Sequence, residues 1–397
     1  MKRIYIATTL TCLVILGACF ALFRFLNLTG GKEHLTVGFI YDNDESTPYT
    51  YNFSLAKDAV EAKYGERVDI HTCSNVLDDE MEEPLRELAD EGCDIIFFNG
   101  YSDMVIKLAP EYPDIEFCQT SYMDMSGQTV PENYHTFKGE AYQGRYVSGI
   151  AAGVKIRQMI LEGTIAQEDA TVGFVAAFPT SEVISGYTAF LMGVRSVVSE
   201  AKMQVCYTGT WSSYALEKSS AKKLIDNGCV VISQHTDTIG PAIACEEASE
   251  SREVYFVGYN QSMSEVAPGT SLITSRICWE PYVLSAVEAV MMDKSIESMV
   301  SGRVHGTDIS AGFEHGWVEM TDLNEPVAAP GTEEAMNRAI ERFKRGNNDF
   351  VYKGNYTGIN PDDPSDTWDL KKAFIENANT SYPMFHYIIP DIITIVE

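Results

Sequence analysis

The sequence predicts an α/β protein of two Rossmann-like lobes, each built on a parallel sheet, and three observations carry that expectation. The first is an internal repeat. Thr36-Val37-Gly38-Phe39-Ile40 recurs as Thr171-Val172-Gly173-Phe174-Val175. LADEGCDII at 88–96 recurs as LIDNGCVVI at 224–232, and Ile115-Glu116-Phe117 recurs as Val254-Tyr255-Phe256, so the copies lie 135, 136 and 139 residues apart in one order. Secondly, short apolar runs alternate with segments of helical spacing in both halves, as parallel strands buried on both faces and joined by right-handed crossovers require. Thirdly, 397 residues exceed what one hydrophobic core usually spans.

Taken in order, the first half reads as a strand at 35–41, a helix at 53–64, a strand at 68–72 and a helix at 80–91 closed by Gly92 as its C-cap. Strands at 95–98 and 115–118 follow, with a short helix at 104–109 between them. The second half repeats the plan at 172–176, 185–199, 203–207, 217–227, 230–233 and 255–257. The expected organisation is a leader at 1–29, one lobe from 30–135 with about 276–305, a second from 136–275 with about 306–346, and a C-terminal surface tail at 347–397.

The leader stands apart. Lys2 and Arg3 precede an apolar run from Ile4 to Phe23, the pattern of an export signal or membrane anchor. Leu16-Gly17-Ala18-Cys19 fits a lipoprotein cleavage box in which Cys19 is lipidated, while the apolar residues after Cys19 suit an uncleaved helix. Either route places the rest of the chain outside the cytoplasmic membrane, anchored to its outer face. The formal net charge of −28 repels phosphate backbones and anionic headgroups, which argues against nucleic-acid partners and against adhesion to a membrane beyond the anchor. Seven of the nine cysteines follow the leader, without a C-x-x-C pair and mostly in apolar strand contexts, so they read as buried thiols with neither a metal site nor a disulfide.

Open parallel sheets bind ligands at the carboxyl ends of their strands. The loops there carry Tyr41, Tyr49, Tyr51, Phe178, Trp211, Tyr259 and Trp279, mixed with Asp42, Asn52, Gln234, His235, Asp237 and Asn260. Aromatic faces with a few amides and carboxylates suit a planar heteroaromatic ligand, stacked on rings and identified by hydrogen bonds to its edge. His235 beside Asp237 could serve as an acid–base pair. No G-x-S-x-G elbow, H-E-x-x-H or glycine-rich phosphate loop accompanies it, so no catalytic residue and no cofactor is expected.

The segments EAYQGRYVSG at 140–149, GFVAAFPTSEVISG at 173–186, Thr210-Trp211, LIDNGCVVISQHTD at 224–237 and Ala267-Pro268 closely resemble the basic membrane protein (BMP) family of PnrA-like ABC-transporter substrate-binding proteins. Q-H-T-D and A-F-P-x-x-E-V-I-x-G are most similar to its purine-base-binding branch. The resemblance implies a type I periplasmic-binding-protein fold with lobes joined by three crossovers. It also implies closure around a purine base or nucleoside, and delivery by a monomer to an ABC permease and its ATPase. Tyr49 stands where the family would place a stacking Trp, and Gly258-Tyr259-Asn260-Gln261-Ser262 replaces an acidic segment that would grip a ribose. Arg276-Ile277-Cys278-Trp279 keeps the Trp of a D-N-W segment but not its Asn. A membrane-anchored sensor using the same cleft, or a nucleoside-processing enzyme, are the competing readings.

Overall fold

The computed structural model describes residues 31–397 apart from Asp322, so the leader and Cys19 lie outside the described residues. In chain order the strands are β1 (Leu35–Ile40), β2 (Val68–Cys73), β3 (Ile95–Phe98), β4 (Glu116–Thr120), β5 (Tyr134–Gly139), β6 (Thr171–Ala176), β7 (Lys202–Tyr207), β8 (Val231–His235), β9 (Tyr255–Tyr259), β10 (Ser271–Ile277), β11 (Arg303–His305), β12 (Asp308–Ala311), β13 (Val318–Met320), β14 (Thr357–Ile359), β15 (Thr367–Asp369) and β16 (Ile393–Val396). They form two seven-stranded sheets, β11-β12-β5-β4-β3-β1-β2 and β13-β10-β9-β8-β6-β7-β16, with β14 and β15 as a separate pair. Pairing within the large sheets is parallel except for the edge strands β11 and β13. Each sheet therefore repeats one doubly wound order around β1 or β6. This is the type I periplasmic-binding-protein fold.

The chain passes between the sheets three times. It leaves β5 for the helix Ala141–Glu162, leaves β10 for the helix Glu280–Met291, and runs from β12 to β13. The expected lobe boundaries are corrected accordingly: β5 extends the first lobe to Gly139 rather than 135, β10 keeps 276–277 in the second sheet, and β12 returns 308–311 to the first. Alternation in YHTFKG is masked because all six residues of β5 are buried, which hides a strand that feeds a crossover.

Two further differences matter for function. The helix expected from residue 53 begins at Pro48, because Thr47 accepts from the Thr50 N–H as an N-cap and Pro48 supplies a preset first turn. Tyr49, Tyr51 and Asn52 are thus helical rather than loop residues. The surface tail is also corrected. Tyr352 and Phe385 stack at 4.1 Å, and Val351, Leu370, Ile389 and Ile393 are buried in the second lobe. β16 then pairs in parallel with β7. The many Asn, Asp and Pro residues sit at turns, while Phe385, Tyr387 and Ile389 alternate inward.

The seven described cysteines are free, and all but Cys73 are buried. No helix among the described residues is long and apolar enough to cross a membrane.

The helix Ala141–Glu162 packs backbone to backbone on the helix Ser181–Arg195. A Cβ at Gly149 would lie 2.1 Å from the Phe190 carbonyl oxygen, and one at Gly193 would lie 2.0 Å from that of Tyr146. Neither neighbour can yield, since both are backbone atoms. Gly193→Ala should therefore destabilise the protein by about 1–3 kcal/mol or more through overpacking, read as a lower urea midpoint; an unchanged midpoint would contradict this packing.

Candidate functional site

One wall comes from the first lobe, at the carboxyl ends of β1 and β3. Asn99 organises it. Its Oδ1 accepts from the Asp42 N–H at 2.9 Å, its carbonyl oxygen accepts from the Tyr49 hydroxyl at 2.6 Å and the Thr120 hydroxyl at 2.8 Å, and its amide reaches the Thr50 hydroxyl at 3.4 Å. Thr50 in turn donates to Asp42 Oδ1 at 3.2 Å. Asp42 and Tyr49, both partly buried, are held side by side as a carboxylate and a ring.

The opposite wall belongs to the second lobe. Phe178 lies edge-to-face on Trp211 at 5.6 Å, Trp211 on His235 at 6.1 Å, and His235 on Tyr259 at 4.8 Å, giving a continuous aromatic run. Glu217 fixes the loops that carry Trp211 and Asp237. Its carboxylate accepts from the N–H groups of Ser213 and Thr238 and from the Thr238 hydroxyl, and the Asp237 N–H donates to the Trp211 carbonyl at 2.9 Å.

Beneath this wall lies a buried charge. The Arg145 guanidinium is fully buried, stacks 3.5 Å from the Tyr259 ring centroid, and its three nitrogens have no hydrogen-bond partner among the described residues. Burial pulls its pKa down to about 10, so it stays cationic at neutral pH. Gly186 leaves room for the His235 ring: a Cβ there would sit 3.1 Å from His235 Nδ1. Burial first, then Arg145 and Lys138, hold His235 well below the usual imidazole value, so it is neutral. The Glu182 carboxylate 3.9 Å away therefore makes no ion pair with it. Asn260, nearly buried and held at φ 64°, has both side-chain amide atoms unpartnered.

The two walls meet at Glu182, in the first turn of the helix Ser181–Arg195. Lys138 of β5 donates to Glu182 Oε2 at 2.8 Å and to the Ser121 carbonyl at 3.0 Å, so an ion pair spans the lobes. Across the same gap, Asp237 is held well above the usual carboxylate range by burial first and then by Asp42, Glu217 and Glu182. Asp42 is also raised, by burial, against the bonds from Thr50 and Asn99. The Tyr49 phenol is raised by burial and by Asp42 and Glu182. Tyr49 and Asp42 of one lobe thus face Glu182, Asp237 and Tyr259 of the other.

The structure places Asp42, Tyr49, Phe178, Trp211, His235, Asp237, Tyr259 and Asn260 at or just beyond strand ends on the sides of the lobes that carry Lys138 and Glu182, but not every residue singled out in the sequence. Tyr51 is 41% exposed on the outer side of its helix. Tyr41 and Trp279 are packed in the first lobe, Trp279 against Phe53 at 5.3 Å and Phe137 at 5.7 Å. Asn52 pins a crossover, donating to the Ile277 carbonyl at 2.6 Å and accepting from Arg276. Gln234 staples its own loop through the Thr236 and Thr238 carbonyls. No hydrogen bond joins His235 to Asp237: among the described residues Nδ1 has no partner, and the carboxylate near Nε2 is that of Glu182 at 3.9 Å. Sequence reasoning missed Glu182, Arg145, Lys138 and Asn99. Glu182 lies in the first turn of the helix that follows β6, close enough to a strand end to be found, whereas Arg145 sits inside a helix with no local sign of its role.

Two doubly wound lobes, crossed three times and meeting at a polar and aromatic interface, have the architecture of solute-binding proteins. The sequence profile of the Bmp family, described as ABC transporter substrate-binding protein PnrA-like, matches residues 35–344. The chain belongs to this family, and is an ABC-transporter substrate-binding protein. It is 28% identical over 293 residues to a purine-binding protein of Brucella abortus, covering 73% of this chain and 75% of the relative. It is 29% identical over 244 residues to a Haloferax volcanii protein assigned as an ABC transporter glucose-binding protein, covering 61% of this chain and 57% of that one. Among solved structures, an ABC-transporter solute-binding protein of Aeropyrum pernix shares the fold, with a TM-score of 0.63, 16% identity, and coverage of 79% of this chain and 92% of that one.

Removing the organiser of the first wall tests its construction. Asn99→Ala leaves the Asp42 N–H unpaired and should cost about 1–3 kcal/mol of stability in urea denaturation; wild-type stability would contradict the role given to Asn99.

Proposed function

We propose that this protein captures a purine base or nucleoside between its lobes, outside the cytoplasmic membrane, and presents it as a monomer to an ABC permease driven by a cytoplasmic ATPase. The observation that carries the reading is the composition of the interface between the lobes: rings from both lobes beside carboxylates from both lobes. Tyr49 and the Phe178–Trp211–His235 run offer the faces, and stacking one base contributes about 1–3 kcal/mol. Asp42 and Asp237 accept from N–H groups on the ligand's edge, and a ligand lacking those donors leaves a buried acceptor unpaired. Bonds made only when both lobes engage shift the population toward closure. The neutral Tyr259-Asn260 replacement for an acidic ribose grip favours a free base. In this reading residues 1–29 anchor the protein, through lipidated Cys19 or as an uncleaved helix. The relative named for purine binding supports the ligand class; no catalytic residue is invoked.

A thermal-shift and calorimetric screen of the purified protein against bases, nucleosides and sugars tests the proposal. A purine at 100 times its Kd should add about 2.7 kcal/mol of stability. A response to glucose with none to any purine would overturn the assignment.

Affinity should also depend on pH. Ligand N–H donors favour the ionised forms of Asp42 and Asp237, so binding lowers both pKa values and affinity is lost as pH falls through their raised values in the free protein. The loss should therefore begin above about pH 4, the ordinary carboxylate value, and Asp237→Asn should flatten the profile. An affinity constant down to about pH 4 would contradict this role.

A further inference from the structure

The family profile ends at residue 344, yet the segment beyond it touches both lobes. Glu376 anchors the segment in the second lobe. Its carboxylate accepts from the Ser185 hydroxyl at 2.6 Å and from the Phe385 N–H at 3.0 Å. Asn377, in the left-handed region at φ 55°, closes the turn by donating to the carbonyls of Thr380 at 3.1 Å and Ser381 at 2.6 Å. The tip of that turn reaches the first lobe. Thr380 Oγ1 donates to Asp308 Oδ2 at 3.1 Å, and the Ser381 N–H donates to the same oxygen at 2.6 Å. Asp308 opens β12, where its other oxygen accepts from the Thr136 hydroxyl of β5 at 2.7 Å.

Glu376, Asn377, Thr380 and Ser381 are each 1% exposed, and Asp308 is 4% exposed. A carboxylate so buried depends on its donors, because an unpaired charge away from water is costly. The next residue enters the site. The Tyr382 ring lies 5.8 Å from Lys138 Nζ, the cation that joins the lobes. Because Lys138 pairs with Glu182 at 2.8 Å, the Tyr382 ring flanks that ion pair, and its phenol is pushed up to about 12 by burial first and then by Glu182.

We propose that residues 376–385 are a strap, a fourth and non-covalent connection between the lobes that limits their opening and places Tyr382 on the flank of the ligand gap. A hinge that opens must separate groups held across it. Separation of β12 from the second lobe pulls Asp308 away from Thr380 and Ser381, so the strap favours the closed approach and slows ligand exchange. Tyr382 acts as a specificity-determining wall residue contributed from outside the family's matched region. The proposal uses the gap assigned under the proposed function, but the strap itself does not depend on which ligand fills it.

Hydrogen–deuterium exchange of the ligand-free full chain tests it. Asp308→Asn removes the charge on the acceptor shared by Thr380 and the Ser381 N–H, which weakens both bonds, and Thr380→Val removes one hydroxyl with little change of shape. Both should raise exchange several-fold in the loops carrying Trp211 and Asp237, with the sheets themselves still protected. Thr136→Val removes Asp308's bond within its own lobe and should leave those loops as in the wild type. Unchanged exchange in Thr380→Val and Asp308→Asn, or an equal rise in Thr136→Val, would overturn the strap. Should Asp308→Asn fail to fold, Thr380→Val alone decides. A screen in which no purine binds would overturn the ligand class and leave this result untouched; where a purine binds, its dissociation should be several-fold faster from Thr380→Val.

Discussion

Two charges that leave water together set how closely the lobes approach. Lys138 projects from β5 of one lobe and Glu182 from the first helical turn of the other, and their side chains are only 8% and 20% exposed. Each would be costly to bury alone, so the lobes meet where the charges can pair. Glu182 gains further from the helix N-terminus it occupies. Around this pair lie Tyr49, His235, Asp237 and Tyr382, drawn from sequence positions more than 300 residues apart.

The electrostatics of the gap follow from what is and is not paired. Asp42 and Glu182 both raise the pKa of Asp237, after burial, while Arg145 is buried against Tyr259 without a hydrogen-bond partner among the described residues. Burial first, then Arg145 and Lys138, keep His235 neutral. The acids of the two lobes oppose one another's ionisation across the interface, and hydrogen-bond donors placed between them would relieve that repulsion. Closure around a ligand with N–H groups is then favoured by the same groups that oppose closure without one.

Much of the fold could be read from the chain because it is written twice: TVGFI and TVGFV, and LADEGCDII and LIDNGCVVI, announce one strand–helix plan in two copies. β5 was harder, since six buried residues erase the period-two signal. The site was half readable. Strand-end logic pointed to Trp211, His235 and Asp237 as candidates, because His235 ends β8, Asp237 lies two residues beyond it and Trp211 four beyond β7. It failed at Tyr41, Trp279 and Asn52, where the same residue types serve packing and the crossover. The C-terminal segment misled for a compositional reason: Asn, Asp and Pro at its turns outweighed the alternating Phe385, Tyr387 and Ile389 that carry it into the core. Nothing local marks Glu376 or Asp308 as partners in one network, since 68 residues separate them.

The claim that everything else depends on is that one ligand is held by both lobes at once. A crystal structure of the protein grown with the tightest-binding purine addresses this directly. The account predicts a bicyclic ring in the gap, stacked on Tyr49 or on the Phe178–Trp211 face and hydrogen-bonded to Asp42 and Asp237. A purine bound to one lobe alone, or on an outer surface with Lys138 and Glu182 still paired over an empty gap, would contradict it.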